Sequence, residues 1–361
     1  MKKILHMIYG LHIGGAETFL YNCIKQIDNN KYSFSICIQD DNITNKKLLQ
    51  LCEEKGIKIY IIPKFNRNYL AHLYKFYSLL KAHQYDTVHF HMNALINVVP
   101  IYIANVYADK IVLHSHSIQN NSGGRLGFIL HKLNRIIIDK MNLCRVACSR
   151  DAAKWMFADQ ESTILDNAVD ADVFRFDGKK RDIIRTQLGI TGKRVIGHVG
   201  RFVDTKNQTF VLDIFESYCN LYKDAVLVFI GDGPTIKNIK NKAEKISREI
   251  FFMGMRTDVE MYYSAFDCLV FPSKYEGLPF TLIEAQASGL PIVASDCIPR
   301  GVDITNIIQF LSLNKTASEW AVAVNEAINK KKAREMYADI VRCSQYDINV
   351  LVEKIYKIYD K

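Results

Sequence analysis

Two glutamates eight residues apart, Glu276 and Glu284, bracket the turn Gly277-Leu278-Pro279 and an apolar run that opens at Phe280. Carboxylates accept hydrogen bonds and hydroxyl-rich ligands donate them, so the pair suits a sugar and a ribose. Between them, a helix start offers unpaired backbone N–H groups and the positive end of the helix dipole, which favour phosphate. Pro279 fits the first helical position, where its missing N–H costs nothing, and Gly289 closes the helix. At 1.5 Å per residue Glu284 falls roughly 7–8 Å along the axis, far enough to reach a ribose while pyrophosphate sits at the amides. Glu276, just before the helix, would face the sugar on the distal phosphate.

Three other stretches bring matching chemistry. In "IGHVGRFVDTKNQ" a strand ends at Gly200 and delivers Arg201 and, five residues later, Lys206. A forked guanidinium and a point-charge ammonium can clamp a diphosphate. In "YGLHIGGAETF" Gly14 and Gly15 stand between a strand and a helix, where backbone amides can approach a ligand. Gly10 and Gly14 are too far apart for the GxGxxG dinucleotide fingerprint. In "KIVLHSHSIQNNSGG" His116 follows a strand, at the end where open α/β sheets bind ligands. Taken singly, each has a plain structural alternative: a tight turn, solvated loop cations, a structural histidine, a helix-end charge. "DAD" at 170–172 lies between the two halves of the chain and no DxD follows a suitable strand, so neither a metal nor a cofactor is expected.

The elements that must position these residues alternate along the chain. Strands are expected at 3–9, 34–39, 58–62, 87–91, 110–114 and 145–149, then at 194–199, 225–230, 250–254, 268–272 and 291–295, with helical periods between them. Near-continuous apolar runs such as "AVLVFIGDG" suit parallel strands buried on both faces. The reading is an α/β protein of two doubly wound parallel-sheet domains, an N-terminal one over 1–170 and a C-terminal one over 171–344, joined through the polar stretch 166–178. A final amphipathic segment, about 345–361, places Ile348, Leu351, Val352, Ile355 and Ile358 at helical spacing, as a helix packing back on the first domain.

Composition narrows the class. With 361 residues, 49% apolar and 24% charged, the chain reads as globular throughout. Nine cysteines without a CxxC pair read as free thiols of a reducing compartment. The basic, then apolar N-terminus reads as a first strand and not as a signal peptide. The apolar stretch 95–108 is too short for a bilayer span, which needs ~20 residues. Of the net charge of +9, the first 170 residues carry +6. Two basic amphipathic segments, 66–84 and 125–140, could rest on anionic lipid headgroups or be ordinary surface helices.

The ordered set "GGAE", "HSHS", "GRF" with "KN", "GDGP", "GMRTDV" and "EGLPFTLIE" resembles the retaining glycosyltransferases of family 4, and within them the bacterial capsular and exopolysaccharide branch. The resemblance implies the GT-B fold, two Rossmann-like domains facing across a cleft. It implies that Arg201 and Lys206 bind the donor diphosphate, Glu284 the ribose and Glu276 the donor sugar, with Gly277, Leu278, Pro279 and Phe280 at the phosphates. Gly14 and Gly15 would line the phosphate side, His116 would contact the transferred sugar, and the backbone at Met255 and Arg256 would hold the base. "NAVD" departs from the family pattern at Ala168, where glycine is usual. The implied activity is metal-independent hexosyl transfer with retention, from a nucleotide-sugar, UDP-sugar above others, to a lipid-linked saccharide. The implied location is the cytoplasmic face of an anionic membrane, as a peripheral protein. A UDP-sugar epimerase shares the two-domain shape and needs no acceptor. A non-catalytic nucleic-acid binder is permitted by charge alone, but the charge is spread out and no nucleic-acid module is present.

Overall fold

The computed structural model describes residues 1–12, 14–117, 124–166, 168–276, 278–330 and 333–360. The chain divides into two compact units, residues 1–167 with 349–361, and residues 168–348. In the first, strands β1 (Lys2–Met7), β2 (Tyr32–Ile38), β3 (Lys58–Ile61), β4 (Thr87–Met92), β5 (Lys110–Ser115), β6 (Cys144–Ala147) and β7 (Thr163–Ile164) form one sheet in the order β3-β2-β1-β4-β5-β6-β7. In the second, β8 (Arg194–Val199), β9 (Ala225–Ile230), β10 (Ile250–Phe252), β11 (Cys268–Phe271), β12 (Ile292–Ser295) and β13 (Ile308–Leu311) run β10-β9-β8-β11-β12-β13. Every pairing is parallel. Both orders reverse after their first strand, so each unit has one switch point beyond the carboxyl ends of adjacent strands: β1 and β4 in the first, β8 and β11 in the second.

Burial explains the composition of the strands. All six residues of β9, Ala225 to Ile230, are buried, because helices cover both faces of the sheet. Leu5, Val88, Phe90, Leu113, Phe76 and Phe157 belong to one core of the first unit. Two strands beyond the expected eleven are present. Both are outermost in their sheets: β7 is only two residues long, and β13, within "NIIQFLSL", is apolar but mostly only half buried.

The last helix, Ile348–Asp360, belongs mostly to the first unit. Ile348, Leu351, Val352, Ile355 and Ile358 are all buried. Three of its polar fastenings are to β1, β2 and the turn before β2: Tyr32 Oη donates to Asp360 Oδ1 at 2.6 Å, Lys2 Nζ to the Tyr359 carbonyl at 2.7 Å, and the Asp28 N–H to Tyr356 Oη at 3.0 Å. Among the described residues no helix is long and apolar enough to cross a membrane.

Candidate functional site

At the switch point of the second unit, three strand ends are tied together by backbone. The Gly200 N–H donates to the Ile230 carbonyl at 3.0 Å, Phe202 N–H to Asp232 at 2.9 Å, and Gly231 N–H to Gly254 at 2.8 Å. This interlock needs glycine. Gly231 sits at φ +132°, and a Cβ there would lie 2.0 Å from the Gly200 oxygen; at Gly233, φ +158°, it would lie 2.4 Å from the Phe202 oxygen. The loop after β11 is fixed to the same platform: Lys274 N–H donates to the Thr205 carbonyl at 2.8 Å, and Asn207 Nδ2 to the Pro272 carbonyl at 3.2 Å.

Those ties bring Lys206 and Glu276 together. Lys206 Nζ donates to Glu276 Oε1 at 2.5 Å and lies 4.9 Å from the centre of the Phe271 ring; the two side chains are 18% and 13% exposed. The pair is therefore mostly withdrawn from water, where an ion pair is screened less than at a surface. Arg201, five residues before Lys206, is exposed and makes no ion pair among the described residues. Beneath Lys206, His198 is wholly buried with Nδ1 2.9 Å from the Val270 carbonyl, and burial pushes its pKa down to about 4, so it brings no competing charge.

The helix Phe280–Ala287 starts one residue later than Pro279 was expected to begin it. Pro279 is the N-cap, extended at φ −77° and ψ 121°, and its side chain makes no cap hydrogen bond. The helix is anchored by Leu282, Ile283, Ala285, Gln286 and Ala287, all buried, and Gly289 follows it at φ +57°. Glu284 lies on the partly exposed side and accepts a hydrogen bond from Tyr263 Oη at 2.7 Å. Tyr263 is fully buried, and burial together with the adjacent Glu284 carboxylate drives its pKa well above that of free tyrosine, so it remains a donor. Sequence reasoning missed Tyr263. It lies 21 residues before Glu284 in "MYYSAF", and nothing local marks it as that glutamate's partner. Leu278 and Phe280 flank the helix start. Gly277 lies outside the described residues, as do Asn167 of "NAVD" and the 118–123 part of the loop after His116.

Beyond β10, Gly254 turns at φ +67° into Met255, which is exposed. The Arg256 side chain is committed to Asp258, Nε to Oδ1 at 2.8 Å and Nη2 to Oδ2 at 2.6 Å, and stacks on Tyr262 at 5.4 Å.

The first unit holds the remaining expected residues. Gly14 is the extended N-cap of the helix Gly15–Gln26 at φ −170°, with no side-chain cap. Next to it, beyond β1 and β4, a cavity of about 560 Å³ is lined by Tyr9, His12, Glu17, Gln39, His91 and Asn93 among others. Glu17 is half-buried, and burial raises its pKa above the ordinary carboxylate value. His116, just after β5, has Nε2 2.8 Å from His91 Nδ1, and burial lowers its pKa to about 3. The nitrogens of His6, His89 and His91, and those of His91, His114 and His116, form two groups with ligand atoms within 4.8 Å of one another. Among the described residues these are the side chains that could hold a metal, and of the five sequence reasoning singled out only His116, for a sugar and not for a metal.

The two units match different family models. Residues 13–173 match Glycosyltransferase Family 4, and residues 180–342 match Glycosyl transferases group 1. The chain belongs to the family 4 glycosyltransferases. It is 28% identical to EpsF of Bacillus subtilis, itself assigned as a glycosyltransferase, over 99% of this chain and 96% of that one. It is 25% identical to the UDP-Gal:alpha-D-GlcNAc-diphosphoundecaprenol alpha-1,3-galactosyltransferase of Escherichia coli, over 81% and 79%. It is 22% identical to the capsular polysaccharide biosynthesis glycosyltransferase CapH of Staphylococcus aureus, over 99% of each. The crystal structure of Anabaena Alr3699/HepE, a complex with UDP and glucose, superposes with a TM-score of 0.78 over the whole of both chains at 18% identity. The fold of this glycosyltransferase is GT-B.

Proposed function

We propose that this glycosyltransferase moves a hexosyl group from a UDP-sugar to a saccharide carried on a lipid diphosphate, with retention of configuration and without a metal, in the assembly of a bacterial surface polysaccharide. The observation that carries the reading is the second unit's switch point, where Lys206, Glu276 and the uncapped start of helix Phe280–Ala287 share one platform, with Glu284 a turn further along. Breaking the sugar C1–O bond builds negative charge on the departing diphosphate. Lys206, Arg201 and the amides at Phe280 oppose that charge more strongly in the transition state than in the ground state. Glu276 would repel phosphate if it stood alone; paired with Lys206 it is a neutralised acceptor for donor-sugar hydroxyls. Glu284, oriented by Tyr263, accepts from the ribose, and the backbone after Gly254 receives the base. The acceptor hydroxyl forms its bond to C1 on the face that the diphosphate leaves, and its proton passes to the departing phosphate oxygen.

The names of relatives support the substrate classes. The Escherichia coli relative is named for UDP-galactose and a diphosphoundecaprenol-linked acceptor, CapH for capsular polysaccharide, and HepE was crystallised with UDP. The first unit's cavity, where polar and aromatic side chains stand among aliphatic ones, suits the acceptor saccharide. The helix Gly124–Ile138 suits the lipid end. It buries only Gly127, His131 and Ile138, and exposes Leu126, Phe128, Ile129, Leu133, Ile136 and Ile137 beside Arg125 and Lys132. An apolar face edged by cations is the composition of a helix lying in an anionic interface. In vesicle flotation, Ile129→Glu with Leu133→Glu is expected to abolish binding to anionic vesicles and leave nucleotide affinity unchanged.

Turnover of UDP-sugars with an undecaprenyl-diphosphate saccharide, in EDTA, tests the activity, and proton NMR of the product tests its anomeric configuration. An inverted linkage, a metal requirement, or conversion of UDP-sugar without acceptor would overturn the corresponding part of the reading.

A further inference from the structure

Four of the ten histidines stand on one sheet of the first unit, and a fifth, His116, follows its strand β5 directly. Register puts His6 of β1 opposite His89 of β4, and His91 of β4 opposite His114 of β5. Residues two apart on a strand share a face, so His89 with His91, and His114 with His116, extend the same patch. The rings form two hydrogen-bonded rows. In one, His6 Nδ1 lies 3.0 Å from His91 Nε2, and His91 Nδ1 lies 2.8 Å from His116 Nε2. In the other, Tyr359 Oη of the last helix lies 2.7 Å from His89 Nδ1, and His89 Nε2 lies 3.2 Å from His114 Nδ1.

We propose that His91, backed by His6, is a positioning residue that holds His116 in the tautomer protonated on Nδ1, so that His116 meets its ligand as a fixed hydrogen-bond donor. Rings hydrogen-bonded nitrogen to nitrogen need an acceptor in each contact, which an imidazolium lacks, so the rows are built from neutral imidazoles. A neutral imidazole has one donor nitrogen and one acceptor nitrogen, so a row of three polarises in one of only two directions. The inner end decides which. His6 Nε2 is buried without a partner among the described residues. If the row donated inward, that atom would be an unpaired N–H; if it donates outward, it is an unpaired lone pair. Orphaned buried N–H groups are the rarer of the two in folded proteins. Outward polarity makes His6 Nδ1–H donate to His91 Nε2 and His91 Nδ1–H donate to His116 Nε2. The remaining proton of His116 is then on Nδ1. Half-buried at the outer end of the row, His116 would offer that N–H to an oxygen of its ligand. This part rests on the proposed contact of His116 with the transferred sugar. It also accords with a mechanism in which the leaving phosphate, and not a histidine, takes the acceptor's proton.

Nitrogen-15 NMR of the full chain labelled at histidine reads the tautomers directly. The wild type is expected to show His116 protonated on Nδ1. His91→Phe is expected to move His116 toward the Nε2–H form and lower kcat roughly ten-fold, the value of one hydrogen bond, with KM for the UDP-sugar changed less than about two-fold. His91→Asn, whose amide N–H can still donate to His116 Nε2, is expected to restore both. Should His91→Phe fail to fold, His6→Phe interrupts the same row one ring further away and is expected to loosen the His116 tautomer. Nε2 protonation in the wild type, or an unchanged tautomer in the folded row variants, would overturn the inference. So would zinc that copurifies in stoichiometric amount and shifts these ring signals on removal, because the rows would then be a metal centre. His116→Ala separates the two claims: full turnover in that variant would remove the sugar contact and leave the tautomer result standing.

Discussion

The two units share one strand order over six strands, and their switch points carry different chemistry. Beyond β8 and β11 the second unit gathers formal charge: a lysine and a glutamate 2.5 Å apart, an exposed arginine, and a carboxylate held by a buried tyrosine. Beyond β1 and β4 the first unit gathers mostly neutral groups around a single carboxyl: imidazoles pushed toward the neutral form by burial, and a cavity edged by Tyr9, Gln39 and Asn93 with Glu17, whose pKa burial raises. The fold decides where a ligand sits, and the side chains decide which part of a substrate it is. Charges that are already compensated can stabilise a diphosphate whose own charge grows during reaction, whereas neutral donors and acceptors suit hydroxyls whose charge does not change. The glycines follow the same division. Gly231 and Gly233 are needed to lock the charged platform at positive φ, while Gly14 occupies extended backbone that other residues also adopt.

The comparison breaks most visibly if the charged platform is removed. Lys206→Ala leaves Glu276 facing the phosphates uncompensated and is expected to cost about 10²–10³ in kcat, the usual loss for one donor aimed at developing charge. Steady-state kinetics checks this, and an equal loss in His116→Ala would mean that the units are not specialised in this way. A smaller effect is expected from Tyr263→Phe. It removes one hydrogen bond from Glu284 and should weaken UDP binding about ten-fold without lowering the rate at saturating donor, since bonds to charged groups are worth roughly 1.5–3 kcal/mol.

The smallest effect at neutral pH sharpens the other half of the comparison. His6 and His116 stay neutral in the folded chain down to about pH 3, whereas free histidine takes up a proton near 6.5. Between those values the unfolded chain binds more protons. Stability is therefore full above pH 6.5 and falls as the pH drops, by about 1.4 kcal/mol per histidine per pH unit. Calorimetry from pH 7 to pH 4 should show this acid sensitivity, and His6→Phe should reduce its slope by about one histidine's share.

Much of the fold was legible in the sequence, because strands buried on both faces announce themselves as apolar runs. All eleven expected strands are present; β7, two residues long, carried no such run, while β13 lies in the apolar stretch "NIIQFLSL", which was not assigned to a strand. The candidate site was legible as a set of residues, each marked by a strand end or a helix start. Its pairings were not. Lys206 with Glu276 and Tyr263 with Glu284 are separated by 70 and 21 positions and meet only through the order of the strands. The histidine rows were half visible, since "HFH" and "HSH" each show alternation within a strand. That they join each other and His6 depends on register, which no local pattern supplies.

The central claim is that the second unit's switch point binds the donor nucleotide. Isothermal titration of the wild-type protein with UDP, GDP and ADP, beside Lys206→Ala and Glu284→Ala, addresses it most directly. The account predicts selective binding of UDP that both substitutions weaken by ten-fold or more, as expected for the loss of a charged hydrogen-bond partner. Absence of binding by every nucleotide, or UDP affinity unchanged in both variants, would contradict it.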